Sequence, residues 1–238
     1  MKEIEINIAW KGKSDCQSCA IRNSVLFAEL NEEDFSKIHV PIEDIKYEQD
    51  SLIYQQGDIG RSLYTLREGY IKLLHLNEDG TERIVRLIKQ GDLFGMEAFL
   101  GGKYEHSAIA LRPIYLCKIP VEVLKDLGEQ SPRLHRQMMK KWGEALSESQ
   151  SWFAELNTGR VEMRLARFLL RLVKENSHGQ KIAPLFKRED MGLMMDVKLE
   201  TISRALTALS ELNLITDITR TSVVLSDIER LRLFCQQG

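Results

Sequence analysis

The sequence predicts an α+β chain: an antiparallel, jelly-roll-like β-roll, then one long dimerisation helix, then a C-terminal winged helix-turn-helix. Three observations lead there. Between Ile45 and Pro120, short apolar runs are broken by Gly57, Gly69, Gly80, Gly91 and Gly101, spaced 12, 11, 11 and 10 residues apart. That spacing suits short strands joined by tight turns. From Pro132 to about Leu156, apolar residues recur at nearly seven-residue intervals, the pattern of a helix paired along its length. Finally, KREDMGLMMDVKLETISRALTAL, Lys187 to Leu209, reads as a helix, a tight turn and a second helix.

Composition narrows the class. The chain has 238 residues, 43% hydrophobic and 29% charged, as expected of a globular protein of one large or two ordinary domains. No apolar run approaches the ~20 residues of a membrane span. The opening MKEIEINIAWKGKSD lacks the apolar core of a signal peptide, so a cytoplasmic protein without membrane attachment is expected. The net charge of -2 hides an asymmetry. Arg160 to Arg220 carries 11 Lys/Arg against 8 Asp/Glu, while the rest carries 22 against 27. The basic surplus thus falls around the helix pair, which suits a nucleic-acid partner. Enzymatic motifs are missing: no P-loop, no G-x-S-x-G and no H-E-x-x-H.

Taken in order, residues 1–25 form a polar leader with Cys16 and Cys19, and 26–130 the β-roll domain. Residues 131–157 form the dimerisation helix and 158–238 the winged helix-turn-helix domain. Asn31, followed by three acidic residues, marks a short helix over Leu26–Ile38. Asn77-Glu78-Asp79-Gly80 is a hairpin turn, since Asp-Gly tolerates positive φ. Pro132 suits the first turn of the long helix. Its paired face is expected to carry Leu134, Met138, Trp142, Ala145, Leu146, Ser149 and Phe153. A helix follows over Arg160–Glu175, ended by Ser177-His178-Gly179. After the helix pair, Leu214–Thr216 and Ser222–Leu225 read as a two-stranded wing, and Asp227–Phe234 as a last helix.

The second helix of the pair carries the chemistry. On a 3.6-residue period Glu200, Ser203, Arg204 and Thr207 share one face, and Leu199, Ile202, Leu206 and Leu209 the other. Arg can donate two hydrogen bonds to a guanine edge in the major groove, and Glu can accept from a cytosine amino group. Lys198, at the helix start, can reach a phosphate. The residues expected on double-stranded DNA are Glu200, Ser203, Arg204, Lys198, Thr201 and Arg188. For any single helix the commoner alternative is an ordinary amphipathic surface element.

A β-roll, a long helix and a C-terminal winged helix-turn-helix resemble the bacterial regulators of the cyclic-AMP receptor protein and FNR family. The most specific segment is Leu199-Glu200-Thr201-Ile202-Ser203-Arg204, which resembles the E-x-x-S-R motif of the FNR branch. YQQGDIGRSLYTLREGYIKL and LCKIP resemble its β-roll segments. The resemblance implies a homodimer reading a TTGAT-like palindrome, with β-roll loops such as Asn77–Glu82 contacting RNA polymerase. Two positions depart from the family near the turn. Asp196 stands where glycine is frequent, and Lys198 where Thr or Ser would cap the helix.

The resemblance also implies a sensor in the β-roll. In the nucleotide-binding branch a Glu after Phe-Gly and an Arg before Ser hold the nucleotide; here these positions are Met96 and His106. A thioether cannot replace the ribose-binding carboxylate, nor a neutral imidazole a bidentate guanidinium, so cyclic AMP is not expected. In the FNR branch four cysteines hold an oxygen-labile [4Fe-4S] cluster. Cys16, Cys19 and Cys117 match three of them, and Val25 falls at the fourth. Four readings stay open: a cluster completed by a non-cysteine ligand such as Asp15 or Ser24, a thiol-disulfide switch, a zinc site, or thiols without a ligand. Cys235, in the DNA-binding domain, is not expected to complete the set.

Overall fold

The computed structural model describes residues 6–8, 26–27 and 42–236. The chain divides into two compact units, Met1–Glu148 and Ser149–Gly238. The first unit is built from β1 (Ile6–Ile8), β2 (Glu43–Tyr47), β3 (Leu52–Tyr54), β4 (Ser62–Glu68), β5 (Ile71–Leu76), β6 (Glu82–Ile88), β7 (Leu93–Phe94), β8 (Ser107–Ala110) and β9 (Ile114–Pro120). They form two antiparallel sheets, ordered β1-β2-β9-β4-β7 and β3-β8-β5-β6. Leu63, Leu66, Ile71, Ile88, Leu116 and Ile119 are fully buried, and the five leading positions of β4 are buried in succession rather than alternately. Tyr54 stacks on Tyr104 at 3.8 Å between ring centroids, closing one end of this core.

Glycine is required at particular corners. Gly69 has φ +90°, and a Cβ there would lie 2.6 Å from the Pro113 carbonyl oxygen. Gly80, φ +82°, ends the expected Asn77–Gly80 turn, where Asp79 accepts hydrogen bonds from the Thr81 hydroxyl and amide. The helix expected over Leu26–Ile38 lies outside the described residues except for Leu26 and Phe27, both buried in the β-roll core.

Two helices follow, α1 (Val121–Gln130) and α2 (Pro132–Leu156). Ser131 joins them: its hydroxyl accepts from the Leu134 amide, and Pro132 takes the first helical position, where no amide is needed. Part of the expected paired face of α2 is already buried within the chain. Leu134 and Met138, 0% and 3% exposed, pack into the β-roll core of their own chain, and Ala145 is also buried. The large apolar residues that α2 leaves exposed are Met139, Leu146 and Phe153, each seven residues from the next. Trp142 and Ser149 are half-buried.

The second unit holds α3 (Val161–Leu172), β10 (Lys174–Glu175), β11 (Lys181–Pro184), α4 (Arg188–Met195), α5 (Leu199–Glu211), β12 (Ile215–Thr216), β13 (Ser222–Leu225) and α6 (Ile228–Gln236). Leu165, Ala166, Phe168 and Leu169 of α3 are wholly buried, and Phe168 meets Trp152 and Phe186 edge-on. The wing is larger than expected, a four-stranded sheet ordered β10-β11-β13-β12. The helix expected to reach Glu175 stops at Leu172, and Lys174–Glu175 pair instead with Lys181–Ile182. Asn176 causes this. Its side-chain oxygen accepts from the amides of His178 and Gln180, making a tight turn with Gly179 at φ +77°. Among the described residues no helix is long and apolar enough to cross a membrane.

Candidate nucleic-acid interface

The helix pair is held by a tight turn whose geometry the residues explain. Asp196 ends α4 in the left-handed conformation, φ 52° and ψ 50°, which Asp adopts more readily than most residues. The Val197 amide then donates to the Gly192 carbonyl at 3.1 Å. A Cβ on Gly192 would lie 2.6 Å from the Val197 carbonyl oxygen, so this approach requires glycine. Lys198 begins α5 in an extended conformation and its side chain makes no capping hydrogen bond. Its charge is therefore available to a phosphate.

Behind the pair, two arginines of α3 satisfy helix-end carbonyls. The Arg164 guanidinium donates to the Leu156 carbonyl at 2.5 Å and to that of Met195, the last residue of α4. Arg167 donates to the Thr158 carbonyl at 2.9 Å, to that of Glu155 and to that of Cys235. Carbonyls at helix C-termini have no partner within the helix, so these guanidinium groups anchor three helix ends to one element.

The helix α5 divides sharply. Ile202, Ala205, Leu206 and Leu209 are buried against the domain. Glu200, Ser203, Arg204 and Thr207 are exposed, as is Lys198. The Ser203 hydroxyl donates to the Leu199 carbonyl at 3.2 Å, and its oxygen can still accept from an incoming donor. Arg204 makes no ion pair among the described residues. Two residues depart from the expected arrangement. Leu199, placed on the buried face by periodicity, is 40% exposed, because the first helical residue precedes the point where α5 meets the core. Thr201 is half-buried. Arg188, in the first turn of α4, is also half-buried; desolvation lowers its pKa, and it lies against the Met191 sulfur at 3.9 Å. Exposed Arg220, at the turn between β12 and β13, is a cation that sequence reasoning did not single out. A lone basic residue in a wing turn was the available signal.

In the β-roll, Cys117 stands on β9 directly opposite Asp44 of β2. Its thiol donates to Asp44 Oδ1 at 3.0 Å. Asp44 is buried and also receives the Arg67 guanidinium and the Tyr115 hydroxyl, both at 2.7 Å. Cys16, Cys19 and Val25 lie outside the described residues. The donor set is three thiols, one of them bonded to a carboxylate that already sits in an ion pair. It does not fit an iron-sulfur cluster held by four cysteines. Cys235 is half-buried in the second unit, and burial raises its thiol pKa. Met96 lines a cavity of about 320 Å³ with Leu73, Arg86, Phe94, Glu97 and Trp142. At the position where the nucleotide-binding branch carries a guanidinium, His106 is held below the usual imidazole pKa by burial and by His75.

The fold and the exposed face of α5 define a DNA-binding regulator with an N-terminal sensor-type β-roll. Comparison with known proteins agrees. Residues 44–131 match the cyclic nucleotide-binding domain and residues 163–234 the Crp-like helix-turn-helix domain. The regulatory protein HlyX of Actinobacillus pleuropneumoniae is 32% identical over 206 residues, covering 84% of this chain and 86% of HlyX. The fumarate and nitrate reduction regulatory protein of Vibrio cholerae is 32% identical over 196 residues, covering 80% of this chain and 78% of its own. Among solved structures, FixK2 from Bradyrhizobium japonicum shares the fold with a TM-score of 0.73 at 22% identity, covering 82% of this chain and 97% of FixK2. The chain belongs to the CRP/FNR family of bacterial transcription regulators, whose members here are regulators rather than enzymes.

Proposed function

We propose that this transcription regulator works in the cytoplasm as a homodimer that binds a TTGAT-like palindrome. The carrying observation is the outward set Glu200, Ser203 and Arg204 on a helix whose opposite side is buried. Arg204 and Glu200 read a G·C pair from its two edges, and Ser203 contacts a neighbouring base. Lys198, Arg188 and Arg220 supply phosphate contacts, and Thr201 supports the helix start. The symmetric partner places a second α5 about 34 Å away, one turn of DNA. The Asn77–Glu82 hairpin tip, exposed throughout, is the surface this reading offers to RNA polymerase.

The response to oxygen or redox state falls, in this reading, to the thiols of Cys16, Cys19 and Cys117, without a four-cysteine cluster. Mobility-shift titration on a TTGAT inverted repeat and on a scrambled duplex tests the core of the proposal. A preference of about a thousandfold is expected; equal affinity for both duplexes contradicts it. Repeating the titration with a thiol oxidant, on the wild type and on Cys16→Ser, tests the redox part. An oxidant effect present in the first and absent in the second is expected. An identical effect in both removes Cys16 from the account.

A further inference from the structure

We propose that Glu97, Glu105 and His106 form a site for a divalent first-row transition-metal cation in the β-roll. One carboxylate oxygen of each Glu and a ring nitrogen of His106 lie within 4.8 Å of one another. His106 Nδ1 stands 4.0 Å from Glu97 Oε1, too far for a hydrogen bond. Metal-ligand bonds of ~2.1 Å place two donors up to ~4.2 Å apart across an ion, so the gap has the size of a bridged pair. The site is empty.

Each ligand is positioned by the backbone. Glu97 lies in the 3-10 helix Met96–Leu100, which Gly95 and Gly101 bracket with left-handed conformations. Glu105 and His106 immediately precede β8. The Gly102 amide donates to the Glu97 carbonyl at 3.0 Å, closing the C-terminal end of that 3-10 helix. The electrostatics favour a cation. Two carboxylates brought side by side repel one another, a repulsion that a bound divalent ion would relieve. A neutral imidazole nitrogen has a lone pair to give a metal. A separate observation marks the place as unfinished. The His75 ring lies edge-on to His106 at 5.5 Å, and its Nδ1 is buried with no hydrogen-bond partner. Two carboxylates and an imidazole are a nitrogen-oxygen set suited to manganese, iron or zinc.

The site has a path to the long helix. Phe99, in the same 3-10 helix as Glu97, meets Trp142 of α2 edge-on at 6.3 Å. Metal occupancy would thus hold the segment that packs on α2 and change the Trp142 environment.

The experiment is Mn²⁺ titration of the full-length protein by calorimetry, in a Cys16→Ser, Cys19→Ser, Cys117→Ser background so that thiols do not compete. No DNA is present, so the outcome is independent of the DNA-binding proposal. One Mn²⁺ per chain is expected, weakened at least about tenfold by His106→Gln and by Glu97→Gln. Glu105→Gln, at an exposed position, repeats the test without threatening the fold. The tryptophan fluorescence change on Mn²⁺ addition should vanish in Trp142→Phe. No Mn²⁺ uptake, or equal affinity in the background protein and all three ligand variants, overturns the site.

Discussion

At the scale of single residues, the arginines of α3 and the glycine of α4 decide whether the DNA-binding unit holds its shape. Arg164 donates to the Leu156 and Met195 carbonyls. Replacing it with Ala leaves both without a protein partner. The cost of one unsatisfied buried acceptor is about 1–3 kcal/mol, and chemical denaturation of Arg164→Ala should show a loss in that range. No change in the denaturation midpoint would contradict the anchoring role. Gly192 makes a sharper case, because a methyl group there would lie 2.6 Å from backbone rather than from a movable side chain. Gly192→Ala is expected to lower stability by about 1–3 kcal/mol, as overpacking does, and to weaken DNA binding by tilting α5. Denaturation paired with a mobility shift checks both effects. The exposed face of α5 was legible from sequence, since helical periodicity separates Glu200, Ser203 and Arg204 from Ile202, Leu206 and Leu209. The roles of Arg164 and Arg167 were not, because their acceptors lie 8 to 68 residues away in the chain and only the folded unit brings them together.

At the scale of elements, α2 shows how one helix can carry two apolar stripes. The first, with Leu134 and Met138, buries itself in the β-roll core. The second, Met139, Leu146 and Phe153, stays exposed and repeats every seven residues. Sequence spacing predicted one long helix, and the helix runs over Pro132–Leu156, but spacing could not say which stripe is buried within the chain. Both stripes fit helical spacing, and only membership of the folded core, as for Leu134 and Met138, chooses between them. The exposed stripe is the surface proposed to pair with a second copy. Leu146→Glu together with Phe153→Glu should therefore yield a monomer by sedimentation equilibrium, with the thermal midpoint little changed. A protein that stays dimeric with both substitutions places the pairing surface elsewhere. The β10–β11 hairpin was missed for a related reason. Asn176 and Gly179 resemble a helix stop, and their action as a strand turn depends on β11 pairing with β13.

At the scale of the whole molecule, a β-roll that matches the cyclic nucleotide-binding domain precedes a winged helix-turn-helix. The β-roll fold was legible from its glycine rhythm, because each tight turn requires a residue tolerant of positive φ. Its binding chemistry was less so. The Asp44–Cys117 pair depends on strand register, and the Glu97, Glu105 and His106 set depends on a loop folding back upon a 3-10 helix. Periodicity reports neither. The account stands on sequence reading by α5, and selection of binding sites from random duplex DNA tests that directly, with wild type and Arg204→Ala compared side by side. The wild type should enrich an inverted TTGAT-like repeat. Arg204→Ala should still bind DNA in low salt while losing preference at the G·C pair, a contact that discriminates by about 1–3 kcal/mol. Enrichment of the same motif by both proteins would contradict the account.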